Sequence, residues 1–155
     1  MLGYAHILQR IAEQVGCPPL KQVAARPGTR AVYRVTTHFP DMRAGDVVAT
    51  LVYSGGREAT LSTVYQGRFN HKPLTRQLDS ASYEVIAQTF RPALFDRLTD
   101  QPNIAFYSVS LCLLERGAGS FVKGVIASPS AATGVYAQLL DIVRVYLPEA
   151  LREIK

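Results

Sequence analysis

The sequence predicts an α+β fold: a single antiparallel sheet of about five strands with helices packed on it, in the order α-β-β-β-α-β-β-α. Three observations carry this. Tyr4, Ile7, Leu8, Ile11, Ala12 and Val15 recur at helical spacing. Residues 29–39 alternate with the period of a strand. Two pairs of strand-like runs are each closed by a glycine turn, Ser54-Gly55-Gly56-Arg57 and Gly117-Ala118-Gly119-Ser120. The chain has 155 residues, 48% hydrophobic and 19% charged, so residues 1–155 read as one domain able to bury its own core. That composition excludes whole-chain disorder.

The first helix spans residues 4–15, with Gly16 as its stop and Pro18-Pro19 forbidding continuation. Residues 17–29 read as a connector. The first strand runs from Thr29 to Phe39, with Ala31, Tyr33, Val35, Thr37 and Phe39 on one face and Arg30, Val32, Arg34, Thr36 and His38 on the other. Val47–Tyr53 and Ala59–Gln66 form a hairpin. Gly67–Leu78 reads as a polar, basic loop. Asp79 or Ser80 opens a second helix with Tyr83, Ile86, Phe90, Leu94 and Leu98 inward, and Pro92 predicts a kink or break near residues 88–91. Ile104–Leu114 reads as a strand, because aromatic and β-branched residues precede a glycine turn into Phe121–Ala127. Ser128-Pro129 has the pattern of a helix cap followed by a first-turn proline, which places the last helix at residues 130–146. A short extension starts at Pro148.

The strand runs put apolar groups on both sheet faces, at Val47-Val48 and again from Val109 to Leu114. Helices must cover both faces, or a second copy must cover one; a homodimer is the expectation. No run of about 20 apolar residues predicts a membrane-spanning helix, and the N-terminal segment lacks an unbroken apolar core, so the expected location is cytoplasmic.

No enzymatic motif emerges. His6, His38 and His71 lie far apart, and Cys17 and Cys112 show no metal-binding spacing. Cys112 reads as a buried packing thiol and Cys17 as a loop thiol. No Gly-x-Ser-x-Gly elbow and no Gly-Lys-Ser/Thr phosphate loop is present. The expectation is a non-enzymatic binding module with neither cofactor nor metal.

The charge is the informative feature. Net charge is +5, and two stretches lack acids altogether: residues 14–40 and residues 59–78. Arg30, Arg34 and His38 lie four residues apart on one strand face. Arg68, His71, Lys72 and Arg76 follow the third strand, interleaved near Tyr65 and Phe69. Folded together, these seven residues would make one basic, partly aromatic surface. Such a surface suits an acidic protein or peptide segment, with arginines pairing carboxylates and an apolar groove burying the rest. Nucleic acid is a second anionic partner of this kind. A further alternative is a small-ligand pocket lined by the strand tyrosines Tyr33, Tyr53, Tyr65 and Tyr107.

The element order is similar, over the length of the chain and as topology only, to that of the small dimeric secretion chaperones of the type III class. Those chaperones are commonly acidic, whereas this chain is basic. The similarity implies a dimeric protein-binding module.

Overall fold

The computed structural model describes residues 4–40, 44–105 and 109–154. Helices α1 (Tyr4–Gln14) and α2 (Leu20–Ala24) precede strands β1 (Ala31–His38), β2 (Val47–Tyr53), β3 (Glu58–Tyr65) and β4 (Leu74–Asp79). Helices α3 (Ser80–Thr89) and α4 (Pro92–Phe95) lead to strands β5 (Leu111–Ala118) and β6 (Phe121–Ala127), and α5 (Gly134–Tyr146) follows. Single 3-10 turns lie at Phe69–His71 and Pro148–Leu151. The strands form one six-stranded antiparallel sheet in the order β4-β3-β2-β1-β5-β6.

The predicted architecture is thus present with one more strand. β4 occupies most of the segment expected to be a loop. Leu74-Thr75-Arg76-Gln77 is exposed and poor in β-branched residues. It is a strand because it pairs with β3 along Thr63↔Leu74 to Glu58↔Asp79, reinforced by Thr60 Oγ1 donating to Gln77 Oε1 at 3.0 Å. An edge strand owes its state to its neighbour, which local sequence does not display.

Three other boundaries differ. α2 interrupts the expected connector, burying Leu20, Val23 and Ala24. α5 starts at Gly134 instead of residue 130. Gln101 holds the intervening segment as a loop: its Oε1 accepts from the Ser128 N–H and its Nε2 donates to the Ala131 carbonyl. β5 starts at Leu111, later than Ile104; residues 106–108 of the expected strand lie outside the described residues. The expected break falls at Phe90-Arg91, ahead of Pro92 at the start of α4. Asp79 caps α3, its Oδ1 accepting from the Ser82 N–H at 2.7 Å.

Both sheet faces are covered within one chain. On the face of Tyr33, Val35, Leu51, Leu61, Cys112 and Leu114, α3, α4 and α5 supply Ile86, Phe95, Leu139, Leu140 and Val143. On the other face, Leu8, Ile11 and Val15 of α1 pack on Val48, Leu113 and Ile126. α2 packs Leu20, Val23 and Ala24 on Val32. A methyl group on Gly117 would lie 2.9 Å from Val32 and 3.3 Å from Ala24, so glycine there lets α2 reach the sheet. The apolar groups that the sequence assigned to cover by helices or by a second copy are met by α1 and α2.

Candidate functional site

Antiparallel pairing puts Arg34, Thr50, Ser62 and Glu115 on one cross-sheet row of the α1 face, with Arg34 opposite Glu115 on β5 and opposite Thr50 on β2. α1 and α2 cross over this row, and between them and the sheet lies a cavity of about 520 Å³. Arg34 and Glu115 stand at its sheet side, only 3% and 5% exposed. Ala12, Leu20 and Val122 give it apolar walls, while Arg10, Glu13 and Lys21 stand at its exposed margin. Cys17, half-buried, completes the α1–α2 corner. Seven of its twelve lining residues are polar or charged, and its volume lies within the range of small-molecule pockets.

The electrostatics of the pair are unusual. Arg34 Nε donates to Thr50 Oγ1 at 2.9 Å. No nitrogen–oxygen pair within 4.0 Å joins Arg34 to a carboxylate among the described residues. Burial lowers the arginine's pKa, and the neighbouring Cys17 and Glu115 oppose that shift. Burial raises the Glu115 carboxyl above its ordinary value, opposed by the Arg34 charge and a hydrogen bond with Gln9. Two opposite buried charges therefore feel each other without forming a contact pair. Burying an ion without close partners costs several kcal/mol, on the order of 3–5 kcal/mol.

Arg116, next to Glu115 on β5, shows the contrast. It points to the opposite face, donates through Nε and NH2 to both carboxylate oxygens of Asp96, and lies 5.3 Å from the Phe121 ring centroid. That arginine is fully engaged within the fold; Arg34 is not.

The seven residues predicted to form one basic surface are divided among five places. Arg30 is exposed at the start of β1, lying over the β2–β3 turn at Gly55. Arg34 is in the cavity. His38, at the other end of β1, bonds through Nδ1 to Asp46 Oδ1 at 2.9 Å, and this bond raises its pKa against the effect of burial. Asp46 also accepts the Phe39 N–H at 3.2 Å. Arg68, His71 and Lys72 sit in the β3–β4 connection, where His71 Nε2 accepts the Gly67 N–H at 2.8 Å and Arg68 donates to the Gly67 carbonyl. Phe69 packs edge-on to Tyr65 at 6.1 Å. Arg76 faces the α5 side, opposite to Arg34, and donates to both carboxylate oxygens of Glu149 and to the Tyr146 carbonyl. Arg34 and Arg76 do not share a surface.

The strand tyrosines are core residues. Tyr53 stacks on Tyr83 at 3.9 Å, Tyr33 packs edge-on to Tyr83 and Phe90, and Tyr65 donates to the Glu149 carbonyl. Tyr107 lies outside the described residues. Among the described residues none of these tyrosines lines the α1–α2 cavity.

Of the cavity's residues, Arg34 is among those the sequence predicts as binding residues, whereas Glu115, Gln9, Cys17 and Lys21 are not. One signal was present: Glu115 follows the most apolar run of the chain and falls within a strand. A charged residue there needs a partner or a function. Among the described residues no group of three or more His, Cys, Asp or Glu could hold a metal ion, and no helix is long and apolar enough to cross a membrane. No family model matches this chain, and neither does any curated protein or solved structure.

Proposed function

We propose that this chain is a binding protein for a small ligand that places an anionic group, a carboxylate or phosphate, against Arg34 in the α1–α2 cavity. One observation carries the reading: a central-strand arginine, 3% exposed, stands in a 520 Å³ cavity with one hydrogen bond from its Nε and no contact carboxylate. A ligand anion would supply the missing partner, and charge-assisted bonds in such a site are strong. The apolar walls would hold the remainder of the ligand. The site differs from a pocket lined by Tyr33, Tyr53 and Tyr65, none of which borders it.

The test is calorimetric titration with carboxylate probes on short apolar chains, free fatty acids and amino acids together. Binding to the native chain that is lost in Arg34→Met supports the reading. Equal behaviour of the two proteins across all carboxylate probes removes it.

A second reading rests on a separate observation. Phe69 and Leu74 are 52% and 44% exposed, flank the exposed Lys72, and adjoin Arg68 at the head of edge strand β4. We infer that an acidic extended segment of another protein would add to the β4 edge, its carboxylates meeting Arg68 and Lys72. Backbone amide shifts along β4 on adding an acidic peptide, lost when Arg68 and Lys72 become alanine, would support it. A doubled native mass with no peptide effect would assign the edge to a second copy instead. Shifts with an oligonucleotide alone would assign the loop to nucleic acid.

A further inference from the structure

The anion reading uses Arg34 and leaves Glu115 unexplained. Glu115 is 5% exposed, lines the same cavity, and is the register partner of Arg34 across the β1–β5 ladder. An anion alone would come close to this second carboxylate, which opposes binding. A site meant only for anions would be better built with a neutral residue at that position. The two side chains are farther apart than a contact pair, so a group between them can accept from one and donate to the other.

From this geometry we propose, resting on the preceding reading, that the ligand is a zwitterion of the α-amino acid class with an apolar side chain. Its carboxylate lies on Arg34, its ammonium on Glu115, and its side chain on Ala12, Leu20 and Val122. An α-amino acid carries its two charges one carbon apart, which matches two opposite charges on adjacent strands. It also brings no net charge to a floor made of one cation and one anion, so the desolvated set stays neutral. Gln9 of α1 lines the cavity together with Glu115. The elevated carboxyl of Glu115 is the state expected of an acid awaiting its cation, because an ammonium beside it favours ionisation.

The experiment is a competition within one set of probes on the native chain: apolar α-amino acids, their deaminated acids, and their carboxamides. At least one amino acid is expected to bind about 100-fold more tightly than its deaminated acid and its amide, since each loses one charge-assisted contact. Glu115→Gln is expected to erase the preference over the deaminated acid and keep the carboxylate's dependence on Arg34. Deaminated acids that bind as tightly as amino acids would overturn the zwitterion and leave the anion site standing. No binding by any carboxylate probe would overturn both. The probe comparison needs no variant, so it decides the question even where Glu115→Gln fails to fold.

Discussion

Arg34 and Glu115 face one another across the β1–β5 ladder, both buried, both lining one cavity, and no contact ion pair joins them. Arg116 and Asp96, on the other side of the sheet, form such a pair. Replacing the two arginines should therefore have unequal consequences. Arg34→Met removes a desolvated ion with one neutral hydrogen bond and leaves Glu115, whose carboxyl is already raised by burial, to take up a proton, so the folding free energy should fall by less than in Arg116→Met. Arg116→Met strands Asp96 in a partly buried place and removes the contact with Phe121; the loss should be about 3 kcal/mol. Urea denaturation of both variants measures this. A larger loss at Arg34 than at Arg116 would mean that Arg34 is a structural residue.

The two cysteines should separate cleanly. Cys112 is fully buried beside Thr37 Oγ1 at 3.2 Å, and burial pushes its thiol up to about 12. It should resist alkylation in the folded chain. Cys17 is half-buried in the cavity wall, and burial raises its thiol too, so it should react more slowly than a free thiol. A ligand in the cavity should slow it further. Mass-resolved alkylation with and without an amino-acid probe reads both effects; a Cys17 rate indifferent to a bound probe would place that probe elsewhere.

The His38–Asp46 clasp predicts a pH dependence of stability. The hydrogen bond to Asp46 raises the folded-state pKa of His38 above the ordinary histidine value. A raised histidine contributes stability that is fully present below its unfolded value. That contribution is lost as pH rises through the higher folded value. The side chain is 39% exposed, so the effect is small, below about 1 kcal/mol after solvent screening. Denaturation midpoints of the native chain and His38→Asn, compared from about pH 5 to about pH 9, should converge on the alkaline side. A gap that widens with pH would contradict the clasp.

Arg76 should act as a fastener. It ties edge strand β4 to Glu149 and Tyr146, and its guanidinium holds the Glu149 carboxyl below the ordinary range. Arg76→Ala should cost roughly 1 kcal/mol, because the pair is partly exposed. It should also speed amide exchange in β4 and at Pro148–Leu151 without altering probe binding in the cavity. Altered binding with unaltered exchange would return Arg76 to the role in ligand recognition that sequence assigned it.

Much of the fold was legible because the signals were local. The alternation of β1, the Gly55-Gly56 turn, the period of α1 and the proline break before α4 each need only neighbouring residues. β4 was not legible: Thr75, Arg76 and Gln77 are strand only through pairing with β3. The start of α5 was not either, because Gln101, nearly thirty residues away, holds Ser128 to Ala131 as a loop. The site shows the same boundary. Period two correctly placed Arg34 on the face of Arg30 and His38, yet gave no sign that α1 and α2 cover its middle and leave its ends open. Arg76 was grouped with Arg34 because a loop has no face; the strand register sends it to the opposite side.

The most direct measurement is the side-chain Nε–H resonance of Arg34, assigned by its loss in Arg34→Met, during titration with an apolar amino acid. Burial and the bond to Thr50 should make this proton visible and slow to exchange. The account predicts that it shifts on saturation while the Arg116 signal, already paired with Asp96, stays in place. A probe that binds and leaves the Arg34 signal unmoved would contradict the site.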